Sequence, residues 1–439
     1  MIRIYIKQAW ALLKQNPLFS TLYIVGTGLA IAMTMIMAVV LYVKVAPVYP
    51  EVNRMQTYYM KSARFELDVD GHKHNIQWAF GYQAVQEWFY PLKNAEVVSA
   101  SLSDDMAYNS YVQPADLSGD FPVRVKLIDP AFFRIYAFHF LEGKAFTEAD
   151  LNSGIRTAVI TEEMSRRLFG TSVNVVGRTF TLNYSAYRVC GVVRGASYLT
   201  SKSYSQIYVP YSVVSGYHEG KMNLPYLGAF SLTMMVKDEA QAAALRTEIK
   251  EIVRKMNQIH KDEWKLVIWD QPTSHQVSAF RQSNFEEFDM WDTVRFFLLL
   301  LLVLLLIPAL NLSGMIASRM ESRLAEMGVR KSFGAGRSSL LSQVMWENLL
   351  LTLLGGALGI LLAWLALYVC REWVFTVFDD WFTAPPQGVE VRVSGEMLFA
   401  PVIFLFALLL CLMLNLLSAL IPAWSSLRNP IVHSLNEKR

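Results

Sequence analysis

Charged side chains are scarce in this sequence. They make up 18% of the 439 residues, against about 25% in soluble domains, while hydrophobic residues make up 53%. The scarcity is concentrated in four windows that contain no Asp, Glu, Lys, Arg or His: 15–43, 296–318, 348–370 and 397–427. A membrane-spanning helix needs about 20 mostly apolar residues, so each window is long enough to span a bilayer. A soluble enzyme is therefore excluded.

The four apolar windows contain no ionisable side chain at membrane depth. Ion-coupled transporters carry Asp, Glu, Lys or His there, because the coupling ion must be bound and released. Channels and intramembrane proteases likewise need polar groups inside the membrane. The absence argues against these classes and indicates an energy source outside the membrane.

Cysteine and net charge are also low. The three cysteines are Cys190, Cys370 and Cys411, and the last two fall inside apolar windows. The remaining part of the chain therefore cannot form an internal disulfide. Forty basic and 37 acidic residues nearly balance, so charge predicts no binding to nucleic acid.

Motifs for catalysis or nucleotide binding are missing. The pattern G-x-x-x-x-G-K-[ST] fails because Lys221 is followed by Met222 and the earlier glycine is absent. H-E-x-x-H and G-x-S-x-G do not occur. His72 and His74 would share one face of a strand and could ligate a metal, but no nearby Cys or third His supports this. We predict no enzyme activity, cofactor or metal, and expect that any ATP binds another chain.

The charges between the windows orient the chain. The loop 319–347 has five basic and three acidic residues, whereas 371–396 has two basic and five acidic residues. Because loops rich in Lys and Arg stay in the cytoplasm, both termini and 319–347 are predicted to lie inside. The predicted order is a cytoplasmic amphipathic helix (1–17), a transmembrane helix (18–44), an extracytoplasmic domain (45–292), a second transmembrane helix (293–318), a cytoplasmic loop (319–347), a third transmembrane helix (348–370), a short extracytoplasmic loop (371–396), a fourth transmembrane helix (397–422) and a cytoplasmic tail (423–439).

The extracytoplasmic domain is predicted to have an α+β fold. Segments of strand character alternate with two segments of helical character, 161–169 and 239–260. The aromatic stretch 132–140 fits buried packing around a helix-to-strand turn better than a partner surface. The strand-like segments are 123–128, 157–160, 178–182, 187–193, 206–211 and 265–269.

Gly355 and Gly359 lie four apart in the third apolar window. Two small residues at this spacing let two helices approach closely. Packing within one chain and contact between two chains both fit this spacing.

The loop after the second window carries a specific motif. The segment 321–337, ESRLAEMGVRKSFGAGR, resembles the cytoplasmic loop of the FtsX-like permeases, the MacB and lipoprotein-release type of ABC transporter permease. The family pattern is approximately R-x-x-E-[IM]-G-[VI]-R-[RK]-x-x-G-A-x-[RK]. A second resemblance covers 422–435, where Ser426 and Ser434 replace the usual alanines, and a weaker one covers 129–150, 157–170 and 187–195. The loop residues that match are Arg323, Glu326, Gly328, Val329, Arg330, Lys331, Gly334, Ala335 and Arg337.

The resemblance implies a multi-pass protein of the inner (plasma) membrane that is the permease subunit of an ABC transporter. Its matching loop residues would couple it to a cytoplasmic ABC ATPase subunit, which binds the ATP. A second permease chain would complete a homo- or heterodimer, and ATP hydrolysis would move the outer domain to export or extract a substrate. The resemblance leaves open the substrate and the need for a periplasmic adaptor and an outer-membrane channel. The alternative is a non-transporting FtsX-like protein that signals or regulates a cell-wall hydrolase.

Overall fold

The computed structural model describes Trp10 and the ranges 17–69, 72–102, 110–114, 119–221, 224–281, 286–322, 326, 329–330, 332–378, 397 and 401–428. Its contacts divide the chain into two units. We call Met1–Tyr42, Trp291–Phe382 and Val393–Arg439 the helical unit, and Val43–Met290 with Thr383–Arg392 the sheet unit. Most of the predicted N-terminal helix, of the loop 371–396 and of the tail lies outside the described residues.

Helix α1 (Pro17–Val45) is almost entirely apolar. The helix belongs to the helical unit as far as Tyr42, and its last three residues belong to the sheet unit.

The sheet unit is built on one mixed sheet. From edge to edge the strands follow the order β15-β2-β3-β14-β4-β7-β12-β9-β11-β10-β5-β6, with β1, β13, β16 and β8 paired beside this path. β9 runs parallel to β11 and β7 parallel to β12, while the other pairs are antiparallel. The strands are β1 Thr57–Met60, β2 Ala63–Val69, β3 His72–Phe80, β4 Val97–Leu102, β5 Ser110–Gln113, β6 Phe121–Val123, β7 Val125–Ile128, β8 Phe140–Gly143, β9 Thr157–Thr161, β10 Thr179–Leu182, β11 Ser185–Val193, β12 Ile207–Pro210, β13 Leu227–Gly228, β14 Phe230–Met235, β15 Trp264–Val267 and β16 Thr273–Ser274.

Helices accompany this sheet, which confirms an α+β fold. The two predicted helical segments are observed, and each has a side-chain cap at its start. Thr161 accepts from Met164 N at 3.3 Å, and Asp238 accepts from Gln241 N at 2.8 Å. The helices are α2 Tyr82–Ala84, which continues into a π-helical turn, α3 Phe132–Ile135, α4 Glu148–Asn152, α5 Glu162–Phe169, α6 Glu239–Ile259 and α7 His275–Phe280.

The aromatic stretch 132–140 lies in the core of the sheet unit. Phe132, Ile135 and Tyr136 are buried against strand residues such as Tyr208. Short helix α3 leads through this stretch into β8, so the prediction of buried packing at a helix-to-strand turn is confirmed.

Three further long helices are described in the helical unit: α8 Met290–Ser322, whose first residue belongs to the sheet unit, α9 Arg337–Val369 and, after the short helix α10 Arg371–Phe378, α11 Pro401–Arg428. Among the described residues, two helices are long and apolar enough to cross a membrane, α1 and α9. A shorter apolar segment, Leu405–Leu420, lies within α11. Small apolar clusters join the helices, and one of them contains Tyr23, Ile316, Leu340 and Ala419.

Candidate functional site

The loop between α8 and α9 holds most of the predicted site residues. Glu326, Arg330, Gly334, Ala335 and Arg337 belong to the described chain, and Arg337 is the exposed first residue of α9. The other three predicted residues, Arg323, Gly328 and Lys331, lie outside the described residues.

The described helical residues of this loop are 326, 329–330 and 332, and we call them the loop helix. Gly334 makes the turn between the loop helix and α9. Its φ of +90° is strained for any residue with a side chain, although the space around its Cα is open. The amide of Ala335 donates to the carbonyl of Arg330 at 3.0 Å, which is the bond of a Schellman motif with Gly334 at its left-handed position. Glycine is therefore needed here for backbone conformation, and Ala335 then packs against the apolar cluster around Tyr23.

Arg330 is held by two partners within the helical unit. Its Nη2 donates to Glu326 Oε1 and its Nη1 donates to Gln343 Oε1, both at 2.6 Å. The first bond joins neighbouring turns of the loop helix, and the second joins this helix to α9. Arg330 thus holds the loop helix against α9, in addition to giving the loop a positive charge.

The chain of polar contacts continues inward from Gln343. Gln343 Nε2 donates to Glu347 Oε1 at 3.2 Å. The other carboxylate oxygen, Glu347 Oε2, lies 3.8 Å from Nη2 of Arg319, near the end of α8. Glu347 is only 4% exposed, and a buried charge is tolerated only when it is paired. We call the series Glu326, Arg330, Gln343, Glu347 and Arg319 the loop network.

The loop network also reaches α1. The guanidinium of Arg319 lies 4.8 Å from the ring centre of Phe19, a cation–π distance. One turn further along, the Tyr23 hydroxyl is hydrogen-bonded to Thr352 Oγ1 of α9 at 3.1 Å. The loop is thereby linked to three helices, α1, α8 and α9.

Sequence reasoning did not single out Gln343, Glu347 or Arg319 as parts of the site. In the sequence, Glu347 is one of three acidic residues of the loop 319–347. A signal was present, because Arg319 and Glu347 directly flank two apolar windows. Charges at such positions often pair across neighbouring helix ends.

One large apolar side chain points out of the loop. Phe333 is 87% exposed, and Val329 one turn earlier is also exposed. An exposed aromatic next to a charged, positioned arginine is typical of a protein-binding surface. Phe333 and Val329, beside Arg330, form what we call the loop surface.

The predicted glycine pair lies against α1. A Cβ on Gly355 would come within 2.9 Å of Thr27 Cβ, and one on Gly359 within 2.7 Å of the Gly28 carbonyl oxygen. Gly28 faces them from α1, and a Cβ on Gly28 would come within 3.1 Å of the carbonyl oxygen of Gly355. These contacts are within one chain, and they bring the backbones of α1 and α9 together.

His72 and His74 are exposed on β3. Among the described residues, no group of three or more His, Cys, Asp or Glu side chains could hold a metal ion.

Two family models match the sequence. The model described as "MacB-like periplasmic core domain" matches residues 20–252, and "FtsX-like permease C-terminal" matches residues 298–431. The first match alone covers more than half of the chain.

Curated relatives match about half of the chain. The Macrolide export ATP-binding/permease protein MacB of Escherichia coli (strain K12) is 25% identical over 242 residues, which is 55% of this chain and 35% of that protein. The Pyoverdine export ATP-binding/permease protein PvdT of Pseudomonas entomophila (strain L48) is 25% identical over 234 residues, 53% of this chain and 33% of that protein. The match thus spans only about a third of these relatives.

Solved structures show a weaker likeness. The periplasmic region of MacB from Actinobacillus actinomycetemcomitans is 16% identical and covers 49% of this chain and 89% of its own, with a TM-score of 0.32. A domain of a putative permease protein from Porphyromonas gingivalis is 14% identical and covers 56% of this chain and 98% of its own, with a TM-score of 0.36.

Proposed function

The chain belongs to the FtsX/MacB-type permease family, and from this we propose that it is the membrane subunit of an ABC transporter. ATP would be bound and hydrolysed by a separate cytoplasmic chain, since the sequence carries no phosphate-binding motif. The sheet unit would be moved by that hydrolysis to export or extract a substrate. The relatives named for macrolide and pyoverdine export support an export role.

The proposed arrangement has four membrane spans in the inner membrane, with both termini in the cytoplasm. The four apolar windows and the charges between them support it. Two such chains, identical or related, would form the membrane part of the transporter. An adaptor protein and an outer-membrane channel would extend it where the substrate must leave the cell envelope.

The loop network is the observation that carries this proposal. Its bond between Arg330 and Gln343 joins the loop helix to α9, and the buried pair of Glu347 and Arg319 joins α9 to α8. Arg319 extends it to α1. A partner that pushes on the loop surface would therefore act on three helices at once. Because Arg330 is committed to the loop network, the exposed Phe333 supplies the apolar contact for the ATPase.

Co-purification in a mild detergent tests this assignment. We expect wild type to bring down a protein with the G-x-x-x-x-G-K-[ST] motif, identified by mass spectrometry. Phe333→Ala should lower its recovery about tenfold or more, because a buried aromatic anchor contributes about 2 kcal/mol to an interface.

Tyr184→Ala is the matched control. Tyr184 is 95% exposed on the sheet unit, so its loss removes an exposed aromatic outside the loop and should leave ATPase recovery unchanged. Equal ATPase recovery with Phe333→Ala and wild type would refute docking at the loop surface. Recovery of a cell-wall hydrolase without any ATPase would refute the transporter assignment itself.

A further inference from the structure

Polar side chains lie together on one face of the sheet. Residues that pair across neighbouring strands share a face, and so do residues two apart along one strand. The registers of β1 with β14, β14 with β4 and β4 with β7 therefore place four polar residues on the same face: Tyr59, Ser231, Ser101 and Lys126. The hydroxyls of Ser101 and Ser231 are hydrogen-bonded to each other at 3.1 Å. All four residues belong to the sheet unit.

Two more lysines reach this face from segments that connect the strands. Lys202 Nζ lies 5.2 Å from the ring centre of Tyr59, a cation–π distance. Lys61 follows Tyr59 by two positions, and its amine lies within hydrogen-bonding reach of the Lys202 amine. Lys126 is 8% exposed, whereas Lys61 and Lys202 are partly open to solvent. We call Lys61, Lys126 and Lys202 the amine cluster.

The amines of this cluster repel one another. Burial and the charges of Lys61 and Lys126 lower the pKa of Lys202 well below its ordinary value. An ammonium group has three donors and no acceptor, so two ammonium groups side by side cannot bond to each other. Like charges that converge in a partly buried place reduce stability, and an anion bound between them reverses that effect.

The nearby carboxylate of Glu51 is committed to other partners. Its Oε2 accepts from Arg54 Nε and its Oε1 accepts from the Ser203 hydroxyl, both at 2.8 Å. Glu51 is 1% exposed and Arg54 3%, so this ion pair is fixed in the interior. Glu51 acts to raise the pKa of Lys202, but burial and the other lysines outweigh it. The charge of Glu51 therefore offsets that of Arg54 rather than those of the amine cluster.

We propose that the amine cluster binds a phosphate group, with the hydroxyls of Ser101 and Ser231 as further donors on the same face. A phosphate monoester carries a charge of about −1.5 to −2 at pH 7 and has three strong acceptor oxygens. A carboxylate carries a single charge and would offset fewer of the three amines. Soluble phosphate compounds and lipid headgroups share this chemistry. The site goes beyond the proposed function and does not rest on it.

Protection from acetylation tests the site in the wild-type full chain, purified in an uncharged maltoside detergent. N-hydroxysuccinimidyl acetate modifies neutral amines, and mass spectrometry measures the extent at each lysine. Inorganic phosphate should slow the modification of Lys202 about tenfold relative to sodium chloride of equal ionic strength, because a bound anion favours the charged, unreactive amine. Lys250 is exposed on α6 and should react at an unchanged rate in the same sample.

Lys202→Met tests the same site by affinity. Calorimetric titration with inorganic phosphate should show about tenfold weaker binding than in wild type, because one charged donor is lost. Lys250→Met is the matched control and should bind phosphate like wild type. Without phosphate, Lys202→Met should melt no lower than wild type, since it removes one of the crowded amines. Unchanged affinity in Lys202→Met, or equal weakening in Lys250→Met, would overturn the site. The acetylation experiment needs no variant, so it decides the matter even where Lys202→Met fails to fold.

Short-chain lipids distinguish the two sources of the phosphate group. Protection of Lys202 by inorganic phosphate assigns the site to soluble phosphate compounds, whereas protection by dihexanoyl phosphatidic acid alone assigns it to a lipid headgroup. Dihexanoyl phosphatidylcholine has the same acyl chains without a phosphate monoester and should not protect. Protection by neither phosphate nor phosphatidic acid would contradict the proposal, and so would equal protection by the two lipids. No ATPase takes part, so failure of ATPase recovery would refute the proposed function and leave the phosphate site standing.

Discussion

His275 shows at the residue scale how burial fixes a protonation state. Its ring is 2% exposed between Tyr59 and the carbonyl of Lys44, and burial lowers its pKa to about 4. A histidine that is buried in its neutral form makes folding depend on pH, because the unfolded chain takes up a proton at a pH where the folded chain does not.

We expect His275 to lower the stability of the protein on acidification. Between the ordinary pKa of about 6.5 and the folded value, the unfolded state binds more protons, so the free energy of unfolding falls by up to about 3 kcal/mol. The effect is absent above pH 7. His275→Gln has no titrating group here, so the difference between wild type and variant isolates the histidine.

Thermal unfolding of both full-length proteins from pH 7.5 to 4.5 measures this difference. The variant's curve must be subtracted from that of wild type, because Asp129 contributes to the pH dependence of stability with the opposite sign. Burial raises the pKa of Asp129 to about 6, so its contribution to stability increases as the pH falls. Parallel curves for wild type and His275→Gln would contradict the assigned state of His275.

At the scale of elements, the crossing of α1 and α9 depends on glycine. Gly28, Gly355 and Gly359 meet with almost no space between the two backbones. A helix interior otherwise disfavours glycine by roughly 0.5–1 kcal/mol relative to alanine, so the close approach must compensate for that loss.

Alanine substitutions should separate the cost of glycine within a helix from the gain of close packing between α1 and α9. Gly359→Ala places a methyl group 2.7 Å from a backbone oxygen, and overpacking of this kind costs about 1–3 kcal/mol. Gly26→Ala is the matched control on α1, because nothing lies within 4 Å of its added methyl group. It should leave stability unchanged or raise it by up to about 1 kcal/mol. Melting temperatures in detergent compare the two, and equal values would show that the crossing tolerates side chains.

At the scale of the whole molecule, the proposed topology puts the sheet unit outside the cytoplasm and the loop between α8 and α9 inside. Tyr184→Cys and Ser338→Cys, each in a chain without its native cysteines, test this orientation. Both positions are exposed.

A membrane-impermeant maleimide applied to spheroplasts should label Tyr184→Cys and spare Ser338→Cys until the membrane is opened. The labelling after opening is the control for reactivity at Ser338. Labelling of Ser338→Cys in closed spheroplasts would reverse the orientation and with it the proposed ATPase contact.

The sequence by itself determined the features that depend on neighbouring residues. The apolar windows predicted the long helices, and the six alternating segments predicted β7, β9, β10, β11, β12 and β15. The loop motif identified the family. Apolar length, periodicity and turn-forming glycine act over a few residues, so they can be read directly along the chain.

Only the tertiary structure decided which distant residues meet. Glu51 and Ser203 are 152 positions apart, and Tyr23 and Thr352 are 329 apart. Strands β1, β14 and β16 were not predicted, and their pairing joins residues separated by more than 170 positions. Burial changed the roles of Glu347, Arg54 and His275, because a charge or proton that water would satisfy at the surface must find a protein partner inside. That partner is set by the fold, not by the local pattern of residues.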